Sequence, residues 1–221
     1  MKRSFFLVAI ILVLSFAAPV SNAQQTSSPD DGSVDNGVYS NRFFGFSVTH
    51  PKDWVVHGEA TNIRLRETGK ERAASSGALS AASSEASLKN TYQLLTMFQY
   101  PMGAAIAVNP GFMLVAEKVS QVPSIVTGRD YLFHVRPMLV KTGVVPLNNE
   151  PVEVILSGQK FFRQDSHMQV NGVSVEQAIL ITVLKGYAIV FILSAKDRPT
   201  IDEMMKSVRT LKFAPSPTIS R

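Results

Sequence analysis

Two short links near the C-terminus constrain this chain most. Asn171-Gly172 and Lys185-Gly186 separate three long apolar runs, Lys160 to Val170, Val173 to Leu184 and Tyr187 to Ser194. A two-residue loop with Asn-Gly at its centre selects a tight hairpin, because both central residues need positive φ. The three runs are therefore expected to form an antiparallel meander. Alternation along Val173 to Leu184 puts Val175, Ile179, Ile181 and Val183 on one face and Ala178, Leu180, Thr182 and Leu184 on the other. Tyr187 to Ser194 is also apolar on both faces. A strand buried on both sides needs a layer on each side. The expected fold class is α+β, with the antiparallel β-sheet sandwiched between helices in three α/β/α layers.

Helices for those layers are visible. Thr127, with Asp130 three residues on, opens a helix carrying Tyr131, Leu132, Val135 and Leu139 on one face, which Pro137 should kink or end. Thr200 and Glu203 read as the capping box of a last helix, with Ile201, Met204, Met205, Val208 and Leu211 at helical spacing. Toward the N-terminus, Val38 to Phe43 and Phe46 to His50 read as strands around the Phe44-Gly45 corner. Pro51-Lys52-Asp53-Trp54 ends the second strand. The Ala/Ser-rich stretch Arg64 to Asn90 favours helix, weakened at Ser75-Ser76-Gly77, and its 73–87 portion reads equally as an insertion. Thr91 to Gln99 and Phe112 to Val119 read as strands. Strict alternation would put Tyr92, Phe98 and Tyr100 on one face.

The first 23 residues read as a cleavable secretory signal. Lys2 and Arg3 precede an apolar run from Phe5 to Ala18, and Ser21 and Ala23 suit a signal peptidase. The run is shorter than the roughly 20 residues of a spanning helix. The expected organisation is signal peptide 1–23, disordered linker 24–36, one domain 37–214 and an irregular tail 215–221. Localisation would be secreted or periplasmic, with no integral membrane segment after cleavage. The 221-residue chain has no cysteine. That excludes disulfides, thiolate metal sites and cysteine nucleophiles. Without Lys2 and Arg3 there remain 20 basic against 17 acidic residues. So mild an excess, scattered along the chain, does not suggest a nucleic-acid partner.

Two polar clusters are candidate sites. His50, Asp53 and His57 follow the second strand and are types that can share a divalent metal. Solvated loop residues around a buried Trp54 are the favoured reading of them. The Asn171-Gly172 turn sets His167 opposite Glu176, with Asp165 and Arg163 further along the same face. Cross-strand pairing at a hairpin end accounts for these four without a function, and a polar recognition patch or weak metal site is the alternative. His134 sits mid-helix beside Tyr131 and Met138 and reads as a core neighbour. No nucleophile elbow, phosphate loop or dinucleotide fingerprint is present.

The order of several segments resembles the PsbP-like fold group. These are Tyr39-Ser40-Asn41-Arg42-Phe43-Phe44-Gly45-Phe46-Ser47-Val48 running into Pro51-Lys52-Asp53-Trp54, then Ser157-Gly158-Gln159-Lys160-Phe161-Phe162-Arg163, Lys185-Gly186-Tyr187-Ala188 and Leu211-Lys212-Phe213. The resemblance implies an exported, non-enzymatic binding or assembly module with a protein or envelope partner, no cofactor and no catalytic residues. A small secreted hydrolase or metal-dependent enzyme, built on either polar cluster, is the competing class. The signal reading carries its own test. Mass analysis of protein recovered outside the cytoplasm should give Gln24 as the first residue, and an intact Met1 chain in the membrane fraction would refute it.

Overall fold

A computed structural model of the chain describes Pro29, residues 32–77 and residues 90–214. The signal segment, most of the linker, the 78–89 part of the insertion and the 215–221 tail lie outside the described residues. The elements in chain order are β1 Ser33–Asp35, β2 Val38–Asn41, β3 Phe46–Thr49, β4 Val55–Val56, α1 Glu59–Ser75, β5 Thr91–Phe98 and β6 Gly111–Lys118. There follow α2 Gly128–Lys141, β7 Val145–Pro146, β8 Val152–Leu156, β9 Gln159–Val170, β10 Val173–Leu184, β11 Tyr187–Ala195, α3 Arg198–Val208 and β12 Lys212–Phe213.

The meander forms as its links require. Val173 pairs with Val170 and Leu184 with Tyr187. The turn residues Asn171, Gly172, Lys185 and Gly186 have φ of 51°, 76°, 53° and 78°. These strands centre an antiparallel sheet of order β4-β5-β6-β11-β10-β9-β7, with β8 also paired to β9. Each face has its own core. Met113, Val115, Ile179, Ile181, Val190 and Ile192 pack under Tyr131, Leu132, Val135 and Leu139 of α2. Leu114, Ala178, Leu180, Phe191 and Leu193 fill the other face under α3.

The expectation of a three-layer α/β/α sandwich is corrected here. The described residues form two antiparallel sheets of twelve strands in all, with three helices, a β-rich fold. The small sheet, ordered β1-β2-β3-β12, shares the second cover with α3. Its Tyr39, Phe44, Phe46 and Val48 enter the same core as Ile201, Met204, Met205 and Val208. The apolar faces of β10 and β11 dictate that something must cover them, and an aromatic hairpin buries apolar area there alongside the helix. Lys185 ties the two sheets, donating from Nζ to the Phe43 carbonyl at 2.6 Å.

Other differences have local causes. The last helix is capped by Asp197, whose Oδ1 accepts from the Thr200 backbone N at 3.0 Å, not by Thr200 with Glu203. Glu203 instead pairs with Lys206 at 2.5 Å. Pro137 does not end α2, which runs on to Lys141, because Met138 and Leu139 anchor its last turn in the core. Thr127 and Asp130 do form the capping box. Gly128 lies so close to β10 that a Cβ would sit 2.1 Å from the Ile181 carbonyl oxygen. A register shift between Gln93 and Leu95 breaks alternation in β5. Tyr92 therefore faces the α3 core and Phe98 the α2 core, while Tyr100 is exposed. The single expected aromatic face is thereby corrected, since a bulge moves every later side chain to the other side. The chain also pairs earlier than its linker-like composition suggests, with Val34 opposite Tyr39. Among the described residues no helix is long and apolar enough to cross a membrane.

Replacing Gly172 with Val should destabilise the domain by about 1–3 kcal/mol, since a β-branched residue resists φ of 76°. Urea unfolding checks this, with Gly172→Asn expected to lose less.

Candidate functional site

The first polar cluster sits where β3 hands over to β4. Pro51 stops the ladder, and Asp53 turns the chain with φ of 61°. His50 Nδ1 lies 2.9 Å from the Pro51 carbonyl oxygen. His57 continues β4 past its last paired residue, its backbone N donating to Thr96 O at 2.8 Å. Its ring meets Phe98 edge-on with centroids 5.3 Å apart, and Thr61 Oγ1 lies 3.4 Å from Nδ1. Burial lowers the His57 pKa below the ordinary imidazole value. His57 thus belongs to the sheet edge and the start of α1, while Asp53 stays exposed at its turn.

The second cluster has the register that the Asn-Gly turn dictates, with His167 directly opposite Glu176. Its chemistry is structural. Arg163 Nε donates to Asp165 Oδ1 at 2.9 Å, and Arg198 Nη1 lies 3.3 Å from Asp165 Oδ2. Asp165 thereby links β9 to the start of α3. It also raises the Arg198 pKa against the opposing effect of burial. No ion pair joins the His167 and Glu176 side chains among the described residues. No group of three or more His, Cys, Asp or Glu side chains there could hold a metal ion.

Sequence reasoning missed the most perturbed ionisable pair. Glu117, on the α2 face of β6, is 4% exposed, and the buried Tyr131 hydroxyl donates to its carboxylate. Burial pushes the Glu117 pKa up to about 8, although the Tyr131 bond pulls the other way. Burial, and then the neighbouring carboxylate, raise Tyr131 well above its ordinary value. A signal was present. Glu117 shares the alternating face of Met113 and Val115, where a lone acid needs a buried donor. Tyr131 is the polar member of the α2 apolar stripe.

No protein-family model and no curated protein matches this chain. Solved structures do. The solution structure of cyanobacterial PsbP (CyanoP) from Synechocystis aligns over 87% of this chain and all of that one, at 14% identity and TM-score 0.49. LpqN of Mycobacterium tuberculosis, described as involved in cell envelope biogenesis, aligns over 85% of this chain and 90% of its own, at 14% identity and TM-score 0.42. A protein from Bacteroides thetaiotaomicron aligns over 77% of this chain, at 12% identity and TM-score 0.45, and the chain spans 46% of its length. A PsbP protein, of the group that the sequence resembles, is therefore among the solved structures similar to this chain.

Glu117 makes stability depend on pH. Its folded pKa lies above the unfolded value, so the folded state holds the extra proton and stability falls as pH rises from about 4.5 to about 8. Thermal melts across that window should show Glu117→Gln flattening the slope and gaining on the order of 2–3 kcal/mol over wild type near neutrality. An unchanged slope would show that Glu117 titrates normally.

Proposed function

We propose that the chain is an exported, non-enzymatic binding or assembly module of the cell envelope or extracellular space, with a protein or other envelope component as partner. One observation carries the reading. Along α2 and the β7–β8 edge, Phe133, Val140, Val145, Leu147, Val152 and Ile155 are all 40–57% exposed. Single exposed apolar residues are ordinary, but an edge strand carrying exposed apolar side chains on both faces, as Val152 and Ile155 give β8, is characteristic of a strand-addition surface. The edge also offers backbone groups of β8 beyond its pairing with β9. A second support is the use made of the polar candidates. Asp165, braced by Arg163 on its own strand, pairs with Arg198 at the start of α3 and so is fixed in a structural tie.

A photo-crosslinking residue at Ile155, in protein exported by its native cell, should give one discrete adduct. The adduct should be lost on Val152→Asp, and a crosslinker at exposed Lys206 should give none. Equal labelling from both positions would refute the module reading. A hydrolase activity abolished by joint His50→Ala and His167→Ala substitution would replace it with the enzyme.

A further inference from the structure

The basic residues are scattered along the sequence, but the fold gathers four of them at one end of the molecule. Lys185 stands in the β10–β11 turn, with its Nζ 2.6 Å from the Phe43 carbonyl oxygen and 5.7 Å from the centroid of the Phe43 ring. Arg42 precedes Phe43 in the link between β2 and β3. Lys118, the last residue of β6, is the cross-strand partner of Tyr187, whose ring meets Phe43 at 5.7 Å. It shares the face of Ala116, two residues back, and so lies on the α3 side of the sheet. Lys212 pairs with Ser47 of β3, and the Ala214 backbone N beyond it donates to the Gly45 carbonyl in the same β2–β3 link. Arg42, Lys185 and Lys212 are exposed, and Lys118 is half-buried.

No carboxylate answers these charges. Among the described residues none of the four cations forms an ion pair. Lys185 gives an N–H to a neutral carbonyl, which leaves its charge uncompensated. The neighbouring acids are committed elsewhere. Glu117 is buried on the α2 face against Tyr131, and Glu153 holds Lys160 at 3.1 Å. Like charges gathered in this way raise a positive potential outside the protein. Between them lie the half-buried rings of Phe43, Tyr92 and Tyr187. The adjoining seam between the sheets, lined by Phe46, Leu184 and Phe213, is closed, with about 0 Å3 of free volume. A partner's side chain finds no socket in that seam. A plane of phosphate headgroups needs none, and rings beside cations suit the headgroup layer.

We propose that this end of the domain docks reversibly on a bilayer rich in anionic phospholipid. Arg42, Lys118, Lys185 and Lys212 meet the phosphates, and Phe43 and Tyr187 sit at headgroup level. Each cation near such a surface strengthens binding about fivefold. The contact is shallow and electrostatic, so salt reverses it. This goes beyond the module reading and uses a different surface from the β8 strand edge, so either can fail alone.

The test is cosedimentation of the exported protein with vesicles of phosphatidylcholine, alone or in equal parts with phosphatidylglycerol. At low salt the mixed vesicles should bind it and the neutral ones should not, and high salt should release it. Joint Arg42→Gln and Lys212→Gln substitution, at two exposed positions, should weaken binding on the order of 10- to 30-fold. Joint Lys141→Gln and Lys196→Gln substitution removes the same charge at other exposed positions and should change little. Lys141 ends α2, and Lys196 follows Ala195, the partner of Glu176 at the opposite end of the sheet. Equal binding to neutral vesicles, binding insensitive to salt, or equal losses from the two variant pairs would each overturn the proposal. Capture by immobilised polyglutamate without vesicle binding would overturn it too, and would assign this end to an acidic protein.

Discussion

The packing of β10 and β11 against both of their neighbouring layers governs the rest of the molecule. Leu180, Ile181, Phe191 and Leu193 are fully buried, and they point to opposite cores. Burying a side chain of this size is worth roughly 1.5–3 kcal/mol. No single cover can secure that gain for both faces. The α2 helix seals one face, and its tight approach at Gly128 brings Tyr131 down onto Glu117. On the other face α3 supplies four buried side chains, and the aromatic hairpin β2–β3 supplies the remainder.

That division sets the character of the two interiors. The α2 side contains a carboxyl–phenol pair and the half-buried His134, whose Nε2 is unpaired. The α3 side is rich in aromatic contacts, with Phe43, Phe44, Tyr92 and Tyr187 meeting edge to face at centroid distances of 4.8–6.0 Å. Aromatic contacts of this kind add to area burial. The polar tie of Arg163, Asp165 and Arg198 lies at the margin of this side, where partial exposure moderates its strength.

What the sequence made legible follows from where physical signals are local. The Asn171-Gly172 and Lys185-Gly186 turns, the cross-strand register of His167 and Glu176, and the buried face of α3 all depend on neighbours within a few residues. They could be read directly. The cap at Asp197 was hidden because Thr200 offers an equally plausible hydroxyl, and only the extended backbone at Asp197 decides between them. The bulge in β5 leaves no mark in composition, so Tyr92 and Phe98 looked like one face. The identity of the second cover depends on a contact between Phe44 and β11 across most of the chain, which no local pattern encodes. Arg42, Lys118, Lys185 and Lys212 read as scattered cations until the β6–β11 and β3–β12 pairings gather them at one end.

The outer boundary of the large sheet is built from two pieces. Twelve-residue β9 is met first by β8, opposite Gln159 to Arg163, and then by β7, opposite Ser166 and His167. Between them Gln164 turns its amide to the Asn148 and Asp165 carbonyls. The longest uninterrupted rail on this side is therefore the five residues of β8. A visiting strand can add there once, but the broken rail gives no template for a second sheet to extend in register. Edges this short and broken are a poor template for edge-to-edge growth of copies of this chain.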